Sequence, residues 1–262
     1  RRLQHPTAAG RVSLGFAHDG GASVPSGNDN LILRAATLLA RTGGLTIDPE
    51  AVLTTNLELA KRIPVAGGMA GGSADAAAAL IGLNELWDTE VPRARLLELA
   101  AQLGADVPFC LVGGTALASG TGTGLARVLC RGTFDWVVCT AAEPLLTLEV
   151  YRAWDEHCAP TEAEPDAVLS ALTTGDPEAL GAALHNDLQP AAEALLPRLR
   201  ADRRALLDAG ALGAVVSGSG PTLLALASDA DEAQRIAGRV AGRFQQVLIS
   251  TSPAGGPVVG PC

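Results

Sequence analysis

The chain has 262 residues, of which 48% are hydrophobic, which is enough for one or two domains with a buried core. Only 3% are aromatic, so that core must be built from alanine, leucine and valine. The net charge of −9 leaves no basic stripe and argues against a nucleic-acid polymer or an anionic membrane as partner, although helix starts and one or two lysines could still hold a nucleotide.

The five cysteines show no paired spacing. Their number is odd, they form no CxxC motif, and only Cys158 has a histidine, His157, beside it. A disulfide framework or a zinc site is therefore not expected, and reduced cytosol suits the thiols. No apolar run is long enough to cross a membrane, and no signal-peptide pattern opens the chain. These features predict a cytoplasmic protein.

The first 65 residues predict two strands and one helix. Residues 12–17 read as a strand, followed by a Gly/Ser/Pro loop. From Asn30, apolar residues recur at helical spacing as far as Gly43, so this stretch predicts a helix. Residues 54–64, which end at Pro64, alternate and predict a second strand.

Four glycines between residues 67 and 72 precede a helix predicted from Ser73 to Trp87. Glycine lets the backbone approach a ligand closely, and the first amides of a helix lack internal partners and carry the positive end of its dipole. Together they predict an anion site, for which phosphate is the commonest ligand. The spacing does not match a P-loop, which needs lysine at Ser73, or GxGxxG, which needs glycine at Met69. A glycine-rich turn before a tightly packed helix is the alternative.

The rest of the chain predicts mixed strands and helices. Asp106, shortly before Pro108, would by default cap the following turn. A composition shift near Gly132 places a domain boundary between residues 133 and 134. The predicted elements are a helix at 92–103, a strand-turn-strand at 111–133, a buried strand at 134–144, a short helix within the acidic loop 159–178, one or two helices at 185–211, a strand-turn-strand at 213–228, an amphipathic helix at 229–244 and an edge strand at 245–251.

Three blocks of this chain resemble the GHMP small-molecule kinases. They are IPVAGGMAGGSADAAAAL followed by LNELW (residues 63–87), GADVPF (104–109) and SGSGPT (217–222). Their order and spacing agree with those of the family from residue 28 to residue 250. Within the family they look most like the branch of non-mevalonate isoprenoid biosynthesis, whose acceptor is a methylerythritol that carries a cytidine diphosphate group.

The resemblance implies an α+β kinase fold with two lobes. The N-terminal ATP-binding lobe (residues 1–133) would resemble domain 2 of ribosomal protein S5, and the C-terminal lobe (134–262) would be ferredoxin-like. The chain, as a monomer or homodimer, would use ATP and Mg²⁺ to phosphorylate a hydroxyl of the small molecule that carries the cytidine diphosphate group.

The resemblance also implies an ATP site around the glycines. Asn30 and Lys61 would lie near adenine, and Ser73 would contact a phosphate or the metal. On the residues alone, Asn30 is equally well a helix cap, and Lys61 more commonly a solvated strand end. The implied set is Asn30, Lys61, Pro64, Val65, Ala66, Gly67, Gly68, Met69, Ala70, Gly71, Gly72, Ser73 and Asp75.

By the same resemblance, Asp106 would be the catalytic base that takes a proton from the substrate hydroxyl. Thr147 and Tyr151 would bind the cytidine end, with Tyr151 stacked on the ring, an interaction worth about 1–3 kcal/mol in nucleic-acid binders. A helix tyrosine half in the core is the alternative. The third block would complete the substrate site through Ser217, Gly218, Ser219 and Gly220.

Parts of the family pattern are absent. The chain has no PxKxN-like segment with the family's lysine and no following Gly-Tyr-His segment, and the turn at residues 120–123 lacks the glutamate of related enzymes, since Thr123 takes its place. We expect that an N-terminal segment is missing; otherwise the chain would be a non-catalytic nucleotide-binding relative. Another GHMP kinase, for homoserine or a mevalonate derivative, is a second alternative, but the combination of GADVPF, GGSADAA and LNELW argues against it.

Overall fold

The structure is a computed structural model that describes residues 8–17, 24–25, 27–47, 54–65, 67–161 and 165–260. The chain divides into two compact units. The first comprises Arg1–Val65, Ala70–Ala126 and Gly255–Cys262, and the second comprises Ala66–Met69 and Arg127–Ala254. The chain thus passes into the second unit after Ala126, whereas the domain boundary at 133/134 stays a prediction.

The first unit is built on a three-stranded parallel sheet with strand order β2-β1-β3. Its helices bury mainly alanine and leucine, as the low aromatic content predicts, together with Trp87, whose indole Nε1 donates to Thr55 Oγ1 at 3.0 Å. The elements are β1 (Ala8–Phe16), α1 (Leu31–Thr42), β2 (Thr46–Ile47), β3 (Thr54–Leu59), α2 (Gly71–Leu86), α3 (Arg93–Leu103), α4 (Val107–Val112), and the hairpin β4 (Ala116–Ser119) and β5 (Gly124–Arg127).

The second unit contains a four-stranded antiparallel sheet with strand order β7-β8-β6-β9. Helices follow β6, a hairpin joins β7 to β8, and one helix leads to β9, which is the β-α-β-β-α-β connectivity of ferredoxin-like folds. The elements are β6 (Phe134–Thr140), α5 (Thr147–His157), α6 (Asp166–Thr174), α7 (Pro177–Ala183), α8 (Gln189–Leu195), α9 (Arg198–Asp208), β7 (Gly213–Val216), β8 (Leu223–Ala227), α10 (Ala230–Val240) and β9 (Gln246–Ser252).

The α+β class is confirmed, but three predicted boundaries were wrong. The strand predicted to reach Pro64 ends at Leu59, because its partner β1 ends at Phe16, which pairs with Leu59. The helix predicted from Ser73 begins at Gly71, since the amide of Ala74 already donates to the carbonyl of Ala70. Residues 111 and 112, predicted as strand, belong to α4, whose apolar face is buried.

In the described part of the chain, every helix is too short or too polar to cross a membrane.

Candidate active site

The start of α2 leaves backbone amides available for a ligand. Ala70, the residue before the helix, has a φ of 50°, and no side chain caps the first turn. The helices α1, α7 and α10, in contrast, each begin with a side chain that accepts a hydrogen bond from a first-turn amide. The first turn of α2 also carries no acidic residue, so its positive dipole end is not compensated there. This is the arrangement that an anion such as phosphate needs.

Gly71 lets this helix start pack closely against the chain that leads into it. A Cβ on Gly71 would lie 2.7 Å from Ile63 Cγ2 and 3.0 Å from Lys61 Nζ. Both distances are shorter than ordinary van der Waals contact. A side chain at this position would therefore push Lys61 or the helix start out of place.

Lys61 and Asp75 form an ion pair beside the helix start. The side chains are 8% and 20% exposed, and Lys61 Nζ donates to Asp75 Oδ2. The interpretation of Lys61 as a solvated strand end is therefore wrong, because its ammonium group is buried against α2. The pair joins residues 14 positions apart and ties the segment after β3 to the second turn of α2.

Asp106 precedes α4 but does not cap it. Its backbone is helical, with φ −84° and ψ −15°, and its exposed side chain makes no capping hydrogen bond. Capping requires an extended backbone that turns the side chain back to the first amides. The capping role expected by default is therefore absent, and the carboxylate is open to a ligand.

Cys110, which sequence reasoning did not select, lies one turn beyond Asp106. Burial raises the pKa of its thiol to about 11, and the carboxylates of Asp106 and Asp75 add to this rise. The thiol therefore interacts electrostatically with both carboxylates, so Asp106 and Asp75 both lie near Cys110 in the first unit. Asp75 is neutralised there by Lys61, whereas Asp106 has no ion pair among the residues that the structure describes.

In the second unit, residues 67–69 lie against the turn between β7 and β8. Ser217 Oγ donates to the carbonyl oxygen of Gly68 at 2.9 Å. A Cβ on Gly68, whose φ is +71°, would overlap the Ser217 carbonyl oxygen and lie 2.8 Å from that of Gly220. The SGSGPT block thus contacts the glycines through the Ser217 side chain and through the close approach of the two backbones.

The same turn holds the start of α5. Ser219 Oγ and Thr147 Oγ1 share a hydrogen bond of 3.0 Å, and Ser219 is buried. Tyr151, one helical turn after Thr147, is 50% exposed, and its neighbour Leu148 is 62% exposed. An exposed aromatic face is available for stacking, although the contact of Tyr151 with a cytosine ring stays a prediction.

Asn30 caps α1. Its Oδ1 accepts from the amide of Ile32 at 2.8 Å, and its Nδ2 donates to the carbonyl of Pro25 at 2.6 Å. Of the two interpretations, the structure shows the cap, and the adenine contact stays a prediction.

The predicted site residues fall into two groups, and Ala66 lies outside the described residues. The first unit contains Asn30, Lys61, Pro64, Val65, Ala70, Gly71, Gly72, Ser73, Asp75 and Asp106, and the second contains Gly67, Gly68, Met69, Thr147, Tyr151, Ser217, Gly218, Ser219 and Gly220.

The described residues offer few donors for a magnesium ion. Within the described part of the chain, no group of three or more His, Cys, Asp or Glu side chains could hold a metal ion. Mg²⁺ usually keeps several waters and is bound through substrate phosphates and one or two protein oxygens. A magnesium ion that arrives with ATP would need only one such protein oxygen, and the half-buried Ser73 hydroxyl at the start of α2 would be a donor of that kind.

Two family models match this chain. GHMP kinases N terminal domain matches residues 30–114, and GHMP kinases C terminal matches residues 168–246. A 4-diphosphocytidyl-2-C-methyl-D-erythritol kinase of Mycolicibacterium smegmatis is 46% identical over 258 residues, which are 95% of this chain and 78% of the relative. The chain belongs to the GHMP kinases. A kinase of Nocardia farcinica with the same name as the Mycolicibacterium protein is 49% identical to this chain, over 92% of this chain and 78% of its own length.

Solved structures of GHMP kinases agree in fold. A crystal structure of 4-(cytidine 5'-diphospho)-2C-methyl-D-erythritol kinase has a TM-score of 0.75 and 32% identity, and covers 94% of this chain and 84% of its own. A homoserine kinase from Cytophaga hutchinsonii also has a TM-score of 0.75, over 95% of this chain and 83% of its own, but at 20% identity it shows the fold alone. The predicted GHMP kinase fold is confirmed.

Proposed function

We propose that this chain transfers the γ-phosphoryl group of ATP to a hydroxyl of 4-diphosphocytidyl-2-C-methyl-D-erythritol. The names of relatives at 46% and 49% identity support the substrate. The observation that carries the proposal is the carboxylate of Asp106, which is exposed and uncapped in the same unit as the open helix start of α2. This unit therefore supplies both a phosphate-binding helix start and a proton acceptor.

The start of α2 binds the ATP phosphates through the amides of Gly71, Gly72 and Ser73. A magnesium ion, when bound, neutralises charge on the phosphate oxygens. Such sites act by position and charge, because phosphoryl transfer asks little covalent chemistry of the protein. The ion pair of Lys61 with Asp75 keeps the helix start in place, so the amides are oriented before the nucleotide arrives.

Asp106 accepts the proton of the acceptor hydroxyl. The hydroxyl oxygen forms a bond to the γ-phosphorus, and the bond between that phosphorus and the oxygen bridging to the β-phosphate breaks. ADP leaves with the electron pair, and the proton passes from Asp106 to solvent after transfer. Thr147 and Tyr151 hold the cytidine end of the acceptor in this proposal.

An Asp106→Asn variant tests the base. We expect kcat to fall by roughly 100- to 10,000-fold, the range of general-base contributions, with an unchanged melting temperature because the carboxylate makes no capping hydrogen bond to α4. The measurement is transfer of labelled phosphate from ATP to the acceptor. Asp208→Asn is the matched control, since Asp208 forms only an exposed ion pair with Arg204. An Asp106→Asn enzyme with parental activity would refute the assignment.

A non-catalytic nucleotide-binding role is the second candidate, favoured by the turn from Gly120 to Thr123, which carries no acid. The assay should therefore also measure ATP binding, and should compare this chain with a protein that carries any residues its gene encodes before Arg1. ATP binding without transfer in both proteins would favour the second candidate. Transfer to homoserine or mevalonate instead would identify another GHMP kinase.

The proposed reaction consumes ATP and fits a cytoplasmic protein. The cysteines in the described part of the chain, Cys110, Cys130, Cys139 and Cys158, are free. Free thiols suit a reducing compartment.

A further inference from the structure

The side chain of Asn186, which lies between α7 and α8, is bonded at both of its ends. Its Nδ2 donates to the carbonyl oxygen of Val216, the last residue of β7, at 2.7 Å and to that of Gly218, in the β7–β8 turn, at 2.8 Å. Its Oδ1 accepts from the amide of Leu188 at 2.9 Å, which fixes the side chain in its own loop. Asn186 thus connects the start of α8 to the turn from Ser217 to Gly220.

A second side chain from the same segment, that of Gln189, bonds to the same end of β7. Gln189 Oε1 accepts from the amide of Val216 at 3.1 Å, so both polar groups of Val216 are bonded to this segment. The turn itself is closed by the Gly220 amide, which donates to the Ser217 carbonyl at 2.8 Å. The position of the turn is therefore set from the side of α8 as well as by its own strands.

The turn in its place positions Gly68. Ser217 Oγ holds the Gly68 carbonyl, and the absence of a Cβ at Gly68 lets this backbone lie directly on the backbone of Ser217 and Gly220. Contacts between backbones cannot be relieved by a change of rotamer. A displaced turn would therefore displace Gly68.

We propose that Asn186 is a positioning residue for ATP binding: it fixes the Ser217–Gly220 turn, which in turn fixes the backbone at Gly68. This inference rests on the proposed function, with Gly68 of the implied ATP site also holding a nucleotide phosphate through its backbone. Asn186 touches no substrate in this scheme and acts through Ser217.

An Asn186→Ser variant separates positioning from local folding. Serine can still accept from the Leu188 amide, as in a serine turn, but cannot reach the two carbonyls of the turn. We expect KM for ATP to rise roughly tenfold, because the two hydrogen bonds that hold the turn are lost and are only in part replaced by bonds to water. Asn186→Asp, which keeps the size and the Leu188 bond, is the second variant should the first not fold.

Asn84→Ser is the matched control. Asn84, in the last turn of α2, also uses both ends of its side chain, but its partners are Thr89 and Val91 in the loop after that helix. The Asn84→Ser variant should lose thermal stability without a rise in KM for ATP. An equal rise in KM for ATP in both variants would overturn the inference, because a general loss of stability would then explain it.

Two readouts distinguish the inference from the proposed function. If Asn186 acts through Ser217, the double variant Asn186→Ser/Ser217→Ala should be no worse than the poorer single variant, whereas multiplied effects would refute this route. Hydrogen exchange at the amides of Ser217 and Gly220, which donate to the carbonyls of Thr222 and Ser217, should quicken in Asn186→Ser even without substrates, and unchanged exchange would overturn the inference. If the parent transfers no phosphate, the proposed function fails, while hydrogen exchange still decides on Asn186.

Discussion

Replacement of Gly68 by alanine tests the contact between the glycines and the β7–β8 turn. The new Cβ would overlap the carbonyl oxygen of Ser217 and approach Gly220 to 2.8 Å at its oxygen and 3.0 Å at its nitrogen. These neighbours are backbone atoms that cannot rotate away. The φ of +71° is also one that alanine adopts only with strain.

The size of the effect follows from two contributions. The left-handed conformation costs about 1–2 kcal/mol for a residue with a Cβ, and loss of the Ser217–Gly68 hydrogen bond costs about 1 kcal/mol. The segment can relieve the backbone strain and the overlap with Ser217 by leaving the turn, so we expect local detachment in place of global unfolding. ATP must then bind a conformation that is 2–3 kcal/mol above the detached one, which weakens apparent ATP binding by roughly 30- to 150-fold.

Calorimetric titration with ATP is the assay, and Gly82→Ala is the matched control. Gly82 lies inside α2, where an added Cβ meets nothing within 4 Å, so alanine should stabilise the helix by roughly 0.5–1 kcal/mol and leave ATP affinity unchanged. A Gly68→Ala protein that binds ATP as tightly as the parent would refute the reasoning. It would mean that the backbone contact at Gly68 has no part in ATP binding.

Two further predictions concern charges in the first unit. Lys61→Met and Asp75→Asn should each destabilise the fold by about 1–3 kcal/mol, because each leaves a largely buried charge without its partner. The double variant should lose less stability than the sum of the two single variants. Denaturant titration measures these losses, with Asp208→Asn as a near-neutral control. The Cys110 thiol, with its pKa raised to about 11 by burial and the nearby carboxylates, should be alkylated roughly 100-fold more slowly at pH 8.5 than an ordinary thiol, and its apparent pKa should fall in Asp106→Asn. Because the folded thiol keeps its proton to higher pH than the unfolded one, its contribution to stability is complete below pH 8.5 and is lost as the pH rises through 11. If Asp106→Asn left the apparent pKa of Cys110 unchanged, that result would contradict the electrostatic argument.

Elements with strong local patterns were predictable from the sequence. The helix from Asn30 to Gly43 has both its apolar spacing and its end residues in the sequence, and α1 begins and ends as predicted. The order of the β7–β8 hairpin, α10 and the edge strand β9 was also confirmed. Strand pairing was not predictable, because the parallel register of β1 with β3 depends on residues about 40 positions apart and leaves no local periodicity.

The site was predictable where backbone chemistry dominates and unpredictable where distant side chains meet. Glycine spacing before an Ala-rich helix predicted the open start of α2. The bond from Ser217 to Gly68 spans 149 positions, and neither residue carries a pattern that points to the other. The same holds for Lys61, because its partner Asp75 lies beside it only once α2 is formed and its second turn packs near the end of β3.

Asp106 shows why a sequence pattern could not decide between two roles. An aspartate shortly before a proline at a helix start has the composition of a cap and also that of a free acid held by a rigid turn. The backbone conformation decides between them: helical angles at Asp106 direct its side chain away from the first amides, and Pro108 has no amide to offer. A capping bond would have stabilised the ionised carboxylate and made it a weaker base. Since that bond is absent, the carboxylate contributes no capping energy to the fold and is open to a substrate hydroxyl, which is why removal of its charge should slow phosphoryl transfer and leave the melting temperature unchanged.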